Sequence, residues 1–507
     1  MRKYPIGIQD FRKIIESNYL YIDKTKIIFD LITSGSYYFL SRPRRFGKSL
    51  LLSTIKEIYS GSKELFAGFW IENNWDWTKK HPIIHVKFAS MSYETKGLST
   101  ALYNQLLAIG KDLKIELLNS DLKDAFQELI HKTVELYGKK VVILVDEYDK
   151  PVIDYLDNLE VAYKNRGILK QFYSVLKDND QNVEFLLITG VGKFTKVSIF
   201  SDLNNLEDIT IDKQYSTLVG ITQNELEATF AQELETYSSD YENIKSELKR
   251  FYNGYSWGGK ETVYNPFSLL NFMKTGELKI YWFQTGTPTF LIDEVKRRDQ
   301  FNFEEVEADL DGLSDLNFEN LNSSALLFQT GYLTITDYDK ETGIYTLKYP
   351  NKEVKDSLNR YLLVAYRYVE QGTSTPLVVK LLKAFRANEI NEVVAVINTA
   401  FSTIPYDLWR NATELHYHAL THLTFTLLGS FIESEVHSAN GRCDMIVKTK
   451  THIYALEFKL DQSAEIALNQ IQEKGYLTPF ALDERIKVAI GISFSSENKA
   501  IAEYLVK

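Results

Sequence analysis

Three stretches of this 507-residue chain combine residue types and spacing suited to phosphate chemistry. The first is Phe46-Gly47-Lys48-Ser49, which follows a short apolar run, Tyr37 to Leu40, and opens an amphipathic segment ending near Gly61. At a strand–loop–helix junction such a sequence turns backbone N–H groups and the helix N-terminus toward phosphate. Lys48 then reaches the β and γ oxygens, and Ser49 offers its hydroxyl to Mg²⁺. The usual loop carries glycine six positions before the lysine; here Arg42 stands there, followed by Pro43, Arg44 and Arg45. A Gly-Lys-Ser that merely opens a helix is the competing reading.

The second stretch is KKVVILVDEYDKP, an unbroken aliphatic run ending in Asp146 and Glu147. A buried parallel strand looks like this, and two carboxylates at its carboxyl end suit a metal ligand followed by a general base. Asp146 is expected to hold Mg²⁺ and Glu147 to polarise the attacking water. A further run, VEFLLITG, ends at Thr189 and is followed by Lys193, where a group sensing the γ-phosphate would stand; a plain strand end explains Thr189 equally well. With HPIIHVKF (81–88) these runs describe a doubly wound parallel sheet with its ligand at the carboxyl edge. The expected nucleotide set is Arg45, Phe46, Gly47, Lys48, Ser49, Asp146 and Thr189, with Ser49 and Asp146 on the metal.

The segments YPIGIQDF, YIDKT, FLSRPRRFGKSLLLSTI, VVILVDEYDKP and LLITGVGKF together resemble the AAA-ATPase-like family of bacterial proteins. That family's own loop reads Arg-Pro-Arg-Arg-Phe-Gly-Lys-Ser, so Arg42 in place of glycine follows its pattern. The resemblance implies ATP as ligand and a homo-oligomer as one possible assembly.

The third stretch is GRCDMIVKTKTHIYALEFKL, two alternating runs around KTKTH that read as a β-hairpin. With Lys450 and Thr451 as the loop, Asp444 lies opposite Glu457, and period-two alternation puts Lys459 on the same face. Met445, Val447, Tyr454, Leu456, Phe458 and Leu460 form the opposite, apolar face. Two such carboxylates can share Mg²⁺, or Mn²⁺ in its place, and an adjacent lysine can orient or deprotonate a water that attacks phosphorus. A solvated edge-strand face is the plainer account of Glu457 and Lys459. Context weighs against it: a helix from about Ala412 to Leu428 precedes the hairpin, and AEIALNQIQEKGY follows, with Ala464, Ala467, Leu468 and Ile471 as its apolar stripe. Helix, strand pair, helix and the strand IKVAIGISF are the core order of the PD-(D/E)XK nuclease superfamily, which this region resembles. By that resemblance Asp444 and Glu457 are metal ligands, Lys459 the catalytic lysine, Glu414 an accessory acid and Gln470 a site residue from the helix.

The rest of the chain must position these groups. Its length gives a prior of roughly three domains. The expected division is 1–219, a P-loop domain; 220–300, a helical lid opened by Thr222 and Glu225 in capping-box spacing; 301–385, a winged-helix-like unit around SALLFQTGYLTITDYDKETGIYTLKYP; and 386–507, a restriction-endonuclease-like α/β core. The fold class is therefore α/β multidomain. FYNGYSWGG and VYNPFSLLNFM, in the lid, resemble the same family's lid segments. The acidic hairpin tip, Asp337, Asp339 and Glu341 against Lys340, suits packing better than phosphate contact.

Composition excludes several classes. A net charge of -10 argues against coating nucleic acid by bulk electrostatics, although bound cations allow a carboxylate site to approach phosphate. One cysteine, Cys443, and 8 histidines exclude a disulfide framework and a thiolate zinc site. No apolar run approaches the ~20 residues of a membrane span, and the N-terminus lacks a signal-peptide core, so the expected compartment is the cytoplasm and no membrane partner is expected. Metal-dependent hydrolysis of nucleic acid, with DNA the expected substrate, is the leading expectation. An ATP-dependent switch or scaffold that grips nucleic acid or a partner without cutting is the alternative.

Overall fold

The computed structural model describes residues 3–193, 199–200, 203–258, 261–285, 289–298, 300–314, 322–367, 374–402, 414–429 and 443–507. The chain forms two compact units, one from Met1–Gly286 with Glu304–Glu353, the other from Thr287–Phe303 with Val354–Lys507. Among the described residues no helix is long and apolar enough to cross a membrane.

The first unit is built on a five-stranded sheet of order β2-β3-β4-β1-β5, with every neighbouring pair parallel. Its strands are β1 (Tyr37–Ser41), β2 (Ile83–Lys87), β3 (Val141–Asp146), β4 (Val183–Gly190) and β5 (Glu207–Asp208). The central strands are runs of β-branched and aliphatic residues because both faces are covered, and every residue of β1 and β3 is buried. Parallel neighbours need long crossovers, supplied here by helices such as Leu122–Tyr137 and Leu159–Lys177, each started by a side chain, Asp121 or Asn158, that accepts backbone N–H bonds. Strand β4 lies between β1 and β3, so Leu40 pairs with Thr189 while Val145 pairs with Ile188. Strand β1, which leads into Arg42–Ser49, and the Asp146 strand β3 therefore end side by side across a single intervening strand.

Thr222 and Glu225 form the expected capping box, and the helical segment breaks into Gln223–Thr229 and Ala231–Tyr237 around Phe230, which is buried in a hydrophobic cluster with Leu226, Leu248 and Phe272. The order helix, strand, turn, strand, helix appears as Ser323–Thr330, β7 (Thr334–Tyr338), β8 (Tyr345–Lys348) and Lys352–Arg367, and β6 (Val306–Ala308) joins on the far side of β8. The boundary between the two units falls inside the last of these helices, after Glu353.

The second unit carries a four-stranded sheet of order β12-β11-β10-β9, made of β9 (Met445–Lys448), β10 (His452–Leu460), β11 (Ile486–Ser495) and β12 (Ala500–Val506). Strands β10 and β11 are parallel and joined through the helix Ala464–Glu473; the outer pairs are antiparallel. That helix sits very close to the sheet at Gly491, where a Cβ would stand 2.3 Å from the Ala464 carbonyl oxygen and 2.6 Å from the Leu468 nitrogen. Gly491 is the direct neighbour of Glu457 in the ladder, so its missing side chain brings the helix over the acidic strand. Because backbone atoms cannot step aside as a side-chain tip can, Gly491→Ala is expected to cost about 1–3 kcal/mol of stability by urea denaturation. An unchanged midpoint would mean that the helix can lift away freely.

Candidate functional site

Two sites follow from these frameworks, one in each unit. In the first, Gly47 (φ 94) starts the helix Lys48–Ser60, and Arg45 (φ 68) before it is also left-handed. Lys48 is 6 % exposed and donates through Nζ to the carbonyls of Arg42 (2.8 Å) and Pro43 (3.0 Å). Burial pushes its pKa down, while Glu147, Asp146 and Asp149 oppose that. A cavity of about 360 Å³ opens beside it, lined by Arg44, Arg45, Gly47, Ser49, Glu147 and Lys150 among others, and covered by the turn Pro5–Gln9 and by Pro266 and Phe267. Cationic side chains around a helix N-terminus would favour an anion here, and Glu147 adds a carboxylate to the lining.

Asp146 is 8 % exposed and accepts at Oδ1 from the Thr189 hydroxyl (3.1 Å). Thr189 is fully buried, so it braces Asp146 and does not line the cavity. The place expected for a phosphate sensor is thus taken by a support for the metal-ligand candidate. Lys193 pairs with Asp208, and its amide donates to Gln329 Oε1 at 2.7 Å. Phe46 also turns away from the phosphate cavity; it packs edge-on against Tyr255 and Trp257 and lines a smaller, apolar cavity of about 100 Å³ with Ile22, Leu51 and Leu218. The two cavities share Pro5, Gly47, Leu50, Pro266 and Leu270.

Two residues outside the expected set matter here. Arg42, which replaces the usual glycine, is fully buried and donates to the carbonyls of Ser41 (2.8 Å), Thr210 (2.7 Å) and Tyr215 (3.4 Å). Its guanidinium lies 4.1 Å from the Trp257 ring centroid, and burial brings its pKa down to about 9. Asp149 is also buried and accepts from the amides of Val191 and Gly192, both at 2.7 Å. The repeated acid in DEYD was its sequence signal, but nothing in the sequence showed which way it points.

In the second unit the hairpin register pairs Leu456 with Met445, Ala455 with Ile446 and Ile453 with Lys448. One more step sets Asp444 opposite Glu457, as the loop arithmetic required. The Asp444 amide points to Glu457 Oε2 (3.4 Å), and the Phe458 amide donates to Asp444 Oδ2 (2.9 Å). Glu457 is 2 % exposed, and its Oε1 accepts from Lys459 Nζ (3.2 Å) and from the Gln470 amide. The same Gln470 nitrogen is 3.2 Å from the hydroxyl of Tyr476, a partly buried contact with no local sequence signal. Burial first and the Asp444 charge second push the Glu457 pKa up, with Lys459 opposing. The Cys443 thiol beside them is pushed up to about 12 by burial and stays protonated.

The acidic face is more enclosed than alternation alone implies: Ile446, Ile453 and Ala455 on it pack against Ile471, Tyr476 and Ala489. On the other face Tyr454 meets Phe385 and Phe458 meets Phe425, the expected apolar core. Glu414 opens the helix Glu414–Gly429, and its side chain lies outside the described residues. Among the described residues no cluster of three or more metal-ligating side chains occurs. Two carboxylates forced together, one of them buried and resisting ionisation, nevertheless fit a divalent cation, whose charge would reverse both penalties.

A sequence profile described as a predicted AAA-ATPase matches residues 5–200, and one described as the PD-(D/E)XK nuclease superfamily matches residues 412–504. A protein of Azotobacter chroococcum mcd 1, described as an uncharacterized protein in the vnfD 5' region, is 39% identical over 519 residues, covering 100% of this chain and 99% of its own length. No solved structure matches.

Asp149 offers a test of the first site. Burial raises its pKa from 3.8 to about 6, so its contribution to stability is fully present below pH 3.8 and is lost as pH rises through 6. Asn keeps an acceptor for the two amides without the buried charge. Asp149→Asn is expected to melt higher than the parent at pH 8, by roughly 1–3 kcal/mol of stability, and equally at pH 3.5. A lower melting temperature at pH 8 would show that the charge is needed there.

Proposed function

Because the chain belongs to the family of predicted AAA-ATPases that carry a C-terminal PD-(D/E)XK nuclease superfamily domain, we propose that it binds and hydrolyses ATP and cuts DNA at a metal-dependent carboxylate site. The observation that carries the nuclease half is Glu457, buried against Asp444, with Lys459 and Gln470 both on its Oε1. Asp444 and Glu457 would hold Mg²⁺, or Mn²⁺ in its place. Such a cation, when bound, polarises the phosphodiester and lowers the pKa of a water. Gln470 fixes the rotamer of Glu457, leaving Oε2 directed toward Asp444. Lys459, about one-fifth exposed, is the group that reaches solvent to orient or deprotonate the attacking water and to face the growing negative charge on phosphate. The accessory acid Glu414 belongs to the same reading, by resemblance alone.

At the first site Lys48 exchanges its loop carbonyls for the β and γ oxygens of ATP, with Arg44 and Arg45 at the cavity wall. Ser49 and Asp146 would hold the Mg²⁺ that accompanies the nucleotide, Thr189 keeps Asp146 aimed, and Glu147 takes the proton of the attacking water. The apolar cavity beside Phe46 suits the base. Nucleotide turnover would gate access to the nuclease site or move DNA. The protein is read as a cytoplasmic enzyme, with a homo-oligomer as one assembly open to it.

Cleavage of linear, circular and single-stranded DNA with Mg²⁺ or Mn²⁺, with and without ATP, tests this reading. Glu457→Ala and Lys459→Ala are each expected to lose at least about a hundred-fold in cleavage rate. Lys48→Ala is expected to lose ATP turnover and only the ATP-stimulated part of cutting. A parent that binds DNA yet cuts it with neither metal would instead identify an ATP-dependent switch that grips nucleic acid.

A further inference from the structure

An ordinary phosphate loop turns tightly because its glycines accept conformations that other residues resist. This loop has one glycine, Gly47, and forces Arg45 to a φ of 68. Something else must hold it, and four contacts from outside the loop do so. The buried Arg42 guanidinium reaches the carbonyls of Thr210 and Tyr215 and lies on the Trp257 ring. Pro43 fits against Gly331, where a Cβ would come within 2.5 Å of Pro43 Cγ. The Arg44 carbonyl accepts the indole N–H of Trp282 at 3.0 Å. Phe46 is enclosed by Tyr255 and Trp257, with ring centroids at 4.7 and 5.4 Å.

Trp282 is itself fixed from behind. Its backbone amide and that of Tyr281 donate to Glu353 Oε1 at 2.8 and 2.6 Å, and its ring packs on Tyr332. All these residues belong to the first unit.

We propose that the phosphate loop is scaffolded from outside, with Arg42 and Trp282 as positioning residues that set how the Arg44 and Arg45 side chains and the Gly47–Ser49 amides face the cavity. The consequence for nucleotide affinity rests on the ATP reading above; the scaffold itself does not. Losing the indole hydrogen bond frees the Arg44 carbonyl and lets the loop leave the conformation that receives phosphate.

Trp282→Phe keeps the ring against Tyr332 and removes the N–H; Arg42→Lys keeps a cation and loses the guanidinium fork and its stacking. Two readouts are taken for the full chain: ATP affinity and turnover, and the rate at which trypsin, without nucleotide, cuts after the exposed Arg44 and Arg45. For Trp282→Phe the expected result is an ATP dissociation constant raised about five-fold, the worth of one neutral hydrogen bond. Turnover at saturating ATP should fall less than affinity, and nicking in the loop should speed by a similar factor with the melting temperature within a few degrees of the parent. Arg42→Lys is expected to shift both readouts in the same direction, and it decides the matter if the tryptophan variant fails to fold. Parent-like affinity together with parent-like nicking in the folded variants would overturn the proposal. A parent that binds no ATP, yet whose variants are nicked faster, would remove the ATP reading and leave the scaffold standing.

Discussion

Lys48 is the point on which the first unit turns. An ammonium group with so little solvent contact must be given acceptors, and the nearest are the carbonyls of Arg42 and Pro43 in its own loop. For those carbonyls to point inward the loop has to wrap around the lysine, which sets the direction of the helix Lys48–Ser60, and Glu147 and Asp149 line the same cavity. The same wrapping sends Arg42 into the interior, where it must find carbonyls of its own in the segment Thr210–Tyr215. The segment Thr210–Tyr215 is thus tied to the loop Arg42–Ser49 by the need to satisfy buried cations.

The second unit poses the opposite electrostatic problem. Asp444 and Glu457 are brought together by hairpin register, and a shift of one residue would send the side chains of one strand to the opposite face and separate the pair. Glu457 is then enclosed by the helix that Gly491 admits, and its ionisation is opposed by burial and by its neighbour. Lys459 and Gln470 offset part of that cost at one oxygen. A cation bound at such a site would offset that cost and draw in phosphate, which would reconcile an acidic chain with the nucleic-acid chemistry proposed for it.

Much of this was legible in the sequence because it is local. The runs VVILV and VEFLLITG could be recognised as buried strands from composition and length alone. The capping box at Thr222 and Glu225 is a matter of three-residue spacing, and the pairing of Asp444 with Glu457 follows from counting outward from a turn. Gln470 was named only by the resemblance to the nuclease superfamily; in the fold its side-chain amide donates to Glu457 Oε1. Arg42 could be marked as occupying glycine's place, but its role could not be read, since its partners are some 170 residues away in the chain. Thr189 and Phe46 were located correctly on their strand and loop, yet their directions depend on which strand lies alongside and which lid aromatic lies above.

The sequence by itself thus indicated the main strands and helices, one register for the acidic hairpin conditional on its turn, and the candidate groups able to do chemistry. These rest on periodicity, propensity and short-range hydrogen bonding. The tertiary structure alone decided that β4 separates the two phosphate-site strands, that Thr189 braces Asp146, and that Trp282 holds the loop through Arg44. It also decided that half of the Glu457 face is core. Each of these is a contact between residues distant along the chain, made when separate elements bury apolar surface together and the polar groups caught between them must find partners.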